Sequence, residues 1–179
     1  MNKVSIGTWL TIYSEAIAEI MSSSGYDWVT IDLEHTPISL CQAEKLIRVI
    51  DLNDCKPYVR VSSNSESEIK RVLDFGAKGI IIPMICDSED IKKALDFCFY
   101  PPKGKRGMGL NRSHGYGEKI KKTNYINEAS SEVEIYATIE SKDALKNLDD
   151  IFQQDITGYI IGPYGSILIS RKARKLSSD

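Results

Sequence analysis

Ionisable side chains fall where apolar runs finish. Trp28 to Leu33 (WVTIDL) carries Asp32 and is followed directly by Glu34 and His35. Pro57 to Val61 (PYVRV) has Arg60 near its end, Val133 to Ile139 (VEIYATI) leads to Glu140, and Gly158 to Ile161 (GYII) runs into Gly162-Pro163. An imidazole titrates near neutral pH and can move a proton. A guanidinium offers a planar fork of donors to an oxyanion, and carboxylates suit hard divalent cations. Any one polar strand end can simply be the start of a loop. An acid–His pair, an arginine and a glutamate on separate strand ends point instead to a site, because buried ionisable groups without partners cost several kcal/mol.

The elements that must position these groups alternate along the chain. Val4–Leu10 reads as a first strand and Ser14 as the N-cap of a helix over EAIAEIMSSS, closed by Gly25. Trp28–Leu33 is a second strand, and Ser39 to Gln42 has capping-box form ahead of LCQAEKLIRVI. Pro57–Val61 precedes a helix over SESEIKRVLDF with Gly76 as its stop, and Gly79–Ile85 precedes SEDIKKALDFCF. A polar, glycine-rich stretch from Pro101 to Asn127 interrupts the rhythm. It resumes with Val133–Ile139, a helix around KDALKNLDDIF, and Gly158–Ile161. Near-continuous apolar strands separated by helices indicate an α/β fold with a parallel sheet. An open doubly wound sheet and a (β/α)8 barrel both accommodate six such strands, but a complete barrel needs about 250 residues.

Composition narrows the function classes. The chain has 179 residues, 23 basic against 25 acidic, for a net charge of −2. That balance excludes a dedicated nucleic-acid binder. No apolar run approaches the roughly 20 residues of a membrane span, and Glu15 and Glu19 break any signal-peptide core. Four cysteines without a CxxC pair are neither a zinc framework nor a disulfide scaffold, and read as core residues of a cytoplasmic protein. No role is assigned to His114. Arg106, in KGKR, is as readily a solvated basic turn as a functional residue.

The blocks GTWL (7–10), GYDWVTIDLEHTP (25–37), PYVRV (57–61), IKRVLDFGAKGIIIPMI (69–85), YPPKGKRGMG (100–109), TIESKDALKNLDDI (138–151) and GYIIGPY (158–164) resemble, in order, the HpcH/HpaI aldolases. The resemblance implies a (β/α)8 TIM-type barrel, incomplete here at about six of eight βα units. It implies cleavage of 4-hydroxy-2-oxo acids to pyruvate and an aldehyde, with a divalent cation, Mg2+ or Mn2+, holding the keto acid. Glu140 then corresponds to a metal ligand, Arg60 to the group that holds the enolate oxygen, and His35 to the acid/base at the 4-hydroxyl. Asp74 corresponds to the aspartate that orients His35. Trp9 lines the pocket, Asp32 and Glu34 hold metal-bound water, and Gly162 and Pro163 bring backbone to the substrate carboxylate. The implied partners are a small 2-oxo acid and, for a complete barrel, further copies of the chain. A non-catalytic remnant and a citrate-lyase-type acyl-CoA lyase are the alternative readings.

After Gly-Pro the family continues Asp-Leu-Ser, and that aspartate is its second metal ligand. Here the position holds Gly165, and the chain reads GPYGSILISRKARKLSSD. Residues 1–164 are therefore expected to form a partial aldolase barrel and residues 165–179 an aberrant tail, of the kind a one-base frameshift produces. Activity is expected to be impaired in this form. Open sheet edges are expected to lower its solubility.

Overall fold

The computed structural model describes residues 4–121 and 132–162. Six strands, β1 (Gly7–Leu10), β2 (Trp28–Asp32), β3 (Lys56–Arg60), β4 (Gly79–Ile82), β5 (Glu134–Ile139) and β6 (Gly158–Ile161), form one parallel sheet in sequential order. A doubly wound sheet reverses direction at a switch point in its strand order. This sheet never does, so the chain is built on the barrel plan, with five βα units and a sixth strand among the described residues.

Local sequence accounts for the helices. In α1 (Glu15–Ser22) the Ser14 hydroxyl accepts from the Ile17 N–H at 3.2 Å. In α2 (Leu40–Leu52) Ser39 and Gln42 make the reciprocal capping box, and Ala43, Leu46, Ile47 and Ile50 give it one apolar face. α3 (Glu66–Phe75) stops at Gly76, whose φ of 107° suits a residue without Cβ. Asp87 caps α4 (Ser88–Cys98). The expected helix over 142–152 is instead two short turns, α5 (Lys142–Lys146) and α6 (Leu148–Phe152). Asn147 leaves helical geometry between them, and its side-chain amide donates to the Cys86 carbonyl at 3.0 Å.

Two strands are shorter than their apolar runs. β1 begins only at Gly7, where pairing with Trp28 starts, and Val4 and Ile6 before it are exposed. β4 ends at Ile82 because Pro83 has no N–H to give and Met84 turns to a φ of 53°. Cys55 and Cys98 are buried as expected, but Cys41 is exposed on α2 and Cys86 is half-buried, so those two are not core residues; all four are free thiols. Nor is Arg106 a solvated turn residue, since it is buried and paired with Asp74.

Alternation along the strands separates two environments. Leu10, Val29, Ile31, Val59, Ile80, Ile82, Ile135, Ala137 and Ile139 pack toward the helices in one apolar core. The opposite face carries Trp28, Tyr58, Tyr136 and Glu134 at its lower end. There Tyr58 and Tyr136 both donate to Glu134 Oε2, at 2.5 and 2.8 Å, and Lys56 donates to Oε1 at 2.5 Å. Burial pushes the Glu134 carboxyl up, but these three donors outweigh it and hold it below the usual range. The rings need bare neighbours. Gly7 pairs in register with Trp28, Gly79 with Tyr58 and Gly158 with Tyr136. A Cβ on those glycines would come within 1.9, 2.5 and 3.3 Å of the facing ring. Each aromatic thus lies over a glycine of the adjacent strand, filling the interior of the curled sheet.

Candidate functional site

The upper end of the same face belongs to the charged groups. Asp32 and Arg60 are register partners on β2 and β3. Arg60 Nε donates to Asp32 Oδ1 at 2.9 Å and Nη2 to Oδ2 at 2.7 Å, a two-point ion pair with the aspartate side chain 3% exposed. Burial alone would raise the Asp32 carboxyl. The Arg60 bonds, aided by the backbone N–H groups of Glu34 and His35, overcome it and hold the group below the ordinary carboxylate range.

Those two N–H groups reach Asp32 Oδ1 at 3.0 and 3.3 Å, so the aspartate also folds the turn after β2. That turn presents Glu34 and His35. Arg60 Nη1 lies 3.2 Å from Glu34 Oε2, and His35 Nε2 lies 3.6 Å from the same oxygen. Glu34 is mostly buried, whereas the His35 side chain is 66% exposed and free to meet a solute. Burial pushes the Glu34 carboxyl up; Arg60 and His35 oppose this, and the nearby Glu140 and Asp32 reinforce it. Trp9, at the end of β1, stacks on the guanidinium, with Arg60 Cζ 4.8 Å from its ring centroid.

Glu140 follows β5 directly. Its Oε1 accepts from the Met84 N–H at 3.3 Å, and Gly162, just past β6, faces its Oε2. Glu140 is close enough to act electrostatically on both Glu34 and Arg60. Trp9, Asp32, Glu34, His35, Arg60, Glu140 and Gly162 are thereby gathered at one end of the sheet, the C-terminal rim where barrel enzymes place their ligands.

Two of the expected site residues have protein partners of their own within this chain. Asp74 does not meet His35 within this chain. α3 runs opposite to the strands, so its last turn returns to the end where β4 begins, and there Asp74 accepts from Arg106 Nη2 at 2.6 Å. Asp32, expected to hold water, has both oxygens engaged by Arg60 and by the turn it caps. Pro163 and Gly165 lie outside the described residues, as does the tail 165–179. Among the described residues no group of three or more His, Cys, Asp and Glu side chains is arranged to hold a metal. None of their helices is long and apolar enough to cross a membrane.

Met84 at this rim carries no sequence signal, because nothing in Pro83-Met84 announces a left-handed backbone. The glycine–aromatic pairs were legible only as unrelated glycines until strand register placed them side by side.

Five sequential βα units and a sixth strand, with a polar, arginine-centred rim at the strand ends, follow the plan of an α/β barrel. The chain matches the HpcH/HpaI aldolase/citrate lyase family over residues 5–164 and belongs to it. It is 37% identical over 161 residues to 2-keto-3-deoxy-L-rhamnonate aldolase of Klebsiella pneumoniae, covering 88% of this chain and 59% of that protein. It is 34% identical to the hydroxypyruvate/pyruvate aldolase of Sagittula stellata, covering 88% and 62%. A crystal structure of a family protein from Burkholderia cenocepacia superposes with a TM-score of 0.82 at 27% identity, over 89% of this chain and 64% of that one. The chain thus spans about three fifths of the length of the curated relatives it matches.

Proposed function

We propose that this chain carries the pyruvate-handling half-site of an aldolase that splits 4-hydroxy-2-oxo acids into pyruvate and an aldehyde. The observation that carries the reading is the Arg60 guanidinium, clamped by Asp32, backed by Trp9 and set beside Glu34, His35 and Glu140 at one strand-end rim.

Arg60 is held before any ligand arrives, so its donors need no reorganisation when negative charge collects on the 2-oxo oxygen. Two of its nitrogens are committed to Asp32, which leaves Nη1, beside Glu34, as the nitrogen not bonded to it. His35 is exposed and next to that carboxylate, placed to accept the proton of the 4-hydroxyl. As that proton leaves, the C3–C4 bond breaks, the aldehyde departs, and the bonding pair is delocalised onto the 2-oxo oxygen. Reprotonation at C3 gives pyruvate.

The carboxylates fit a hard divalent cation, Mg2+ or Mn2+. Glu140 has one oxygen tied to backbone and the other beside Gly162. Glu34 Oε2 is buried 3.2 Å from Arg60 Nη1 and 3.6 Å from His35 Nε2, with no hydrogen-bond donor aligned on it among the described residues. Glu140 would hold the ion with Glu34 near it, in the manner of sites that use one or two carboxylates and water. Bound there, the cation would polarise the 2-oxo and carboxylate oxygens of the substrate. We read the protein as cytoplasmic, in keeping with its free thiols, and the complete barrel as a homo-oligomer.

The test is pyruvate release from 4-hydroxy-2-oxo acids with Mn2+ present, coupled to reduction of the product. The chain is expected to release pyruvate slowly, and Arg60→Ala and Glu140→Ala to abolish release. Pyruvate formation unaffected by either substitution would refute the assignment, and cleavage of a citramalyl or citryl thioester alone would favour the acyl-CoA lyase reading.

A further inference from the structure

Glu140 is held from two sides by backbone rather than by side chains. On one side Met84 has a φ of 53°, a left-handed conformation uncommon in a residue that has a Cβ. In this turn the Met84 N–H donates to Glu140 Oε1, while the residue as a whole remains 55% exposed. The strain is therefore not repaid by burying the methionine. Pro83 before it sets the sharp end of β4 that makes the turn possible. On the other side a Cβ at Gly162 would sit 3.3 Å from Oε2, tighter than ordinary contact, and 3.5 Å from the Glu140 Cβ, an ordinary one. Gly162 has no positive φ that would require glycine on its own account. Its bareness leaves room at the second carboxylate oxygen.

We propose that Met84 and Gly162 are positioning residues for Glu140, the first tying down Oε1 through a strained backbone N–H and the second keeping Oε2 clear for a divalent cation. The clearance half rests on the reading of Glu140 as a metal ligand; the tethering half does not. Glu34 and Arg60 lie within electrostatic reach of the same carboxylate, but neither contributes the fixed donor.

Two measurements separate the halves. Without metal, hydrogen exchange of the Met84 amide is followed by NMR in the wild-type chain, in Glu140→Ala and in Met84→Gly. Exchange at least 10-fold faster in Glu140→Ala is expected, with protection retained in Met84→Gly, which keeps the N–H and adopts the left-handed region freely. Equal exchange in wild type and Glu140→Ala overturns the tether. With Mn2+ alone as the probe, free ion is counted by electron paramagnetic resonance. Gly162→Ala and Met84→Val are expected to bind at least 10-fold more weakly than wild type. Gly162→Ala demands no unusual backbone and stands as the test should Met84→Val not fold. Unchanged Mn2+ affinity in Gly162→Ala overturns the clearance half. Mn2+ affinity unchanged in Glu140→Ala defeats the metal reading and the clearance half with it, while the exchange result still decides the tether.

Discussion

Asp32 and Arg60 sit opposite one another on β2 and β3 and are joined at two points, at 2.9 and 2.7 Å. The aspartate that anchors the arginine also accepts the backbone N–H groups of Glu34 and His35. One buried carboxylate thus organises both the cation of the rim and the turn that displays the acid–imidazole pair. Adjacent strands in register bring the two together at no cost in loop ordering.

Asp32→Asn removes the two-point counter-charge of the largely buried Arg60 and leaves it only the 3.2 Å contact with Glu34. Loss of one partner of a buried pair costs about 3–5 kcal/mol, and urea unfolding at pH 7 should show a loss of that order. The folded pKa of Asp32 is depressed, so its stabilisation is complete above the unfolded value of about 3.9 and is lost as pH falls through the folded value. The difference between wild type and variant should shrink on acidification. A gap that stays constant to the acid limit contradicts the ion-pair account.

Glu34→Gln should behave in the opposite sense. Burial raises the Glu34 pKa, so the folded state binds its proton more tightly than the unfolded chain. Stability is then lost as pH rises from the unfolded value of about 4.3 through the raised folded value. The variant should be at least as stable as wild type at pH 7, and unfolding curves across pH 4 to 8 check this. Destabilisation of more than about 1 kcal/mol at pH 7, the ordinary cost of a disruptive substitution, contradicts it.

Arg60→Lys keeps the charge and loses the fork. A lysine cannot reproduce the paired bonds to Asp32 and still aim a donor at the opening. If the aldolase reading holds, kcat/KM for pyruvate release should fall by about 10²–10³, the usual loss for one preorganised oxyanion donor. Steady-state kinetics decide it, and full activity in the lysine variant would show that charge alone suffices.

Gly79→Ala drives a methyl group to within 2.5 Å of the Tyr58 ring. Overpacking of this kind costs about 1–3 kcal/mol. Gly107→Ala is the matched control, because nothing lies within 4 Å of its Cβ position, and it should stay within about 0.5 kcal/mol of wild type. Equal melting of the two variants would mean that the aromatic layer yields freely.

Much of the architecture could be read before any coordinates. The caps at Ser14 and Ser39 and the stop at Gly76 act within a few residues of themselves, so local spelling is enough to locate α1, α2 and the end of α3, whereas the Asp87 cap of α4 emerged only from the structure. Asn147 was the exception, because the pull that breaks 142–152 into two turns comes from the Cys86 carbonyl on a distant loop. The candidate rim was legible as charge at strand ends, and His35, Arg60 and Glu140 do share that end of the sheet.

By itself the amino-acid sequence determined the alternation of strands and helices, the apolar face of each helix and the set of charged strand endings, since each depends on periodicity or on neighbours within a turn. Tertiary structure decided who pairs with whom. It gave Asp32 to Arg60, Asp74 to Arg106 and the Met84 N–H to Glu140, and it laid Trp28, Tyr58 and Tyr136 over three glycines. Those pairings join residues separated by as many as 56 positions. They follow from strand register and from the direction in which each helix returns, which no local pattern encodes.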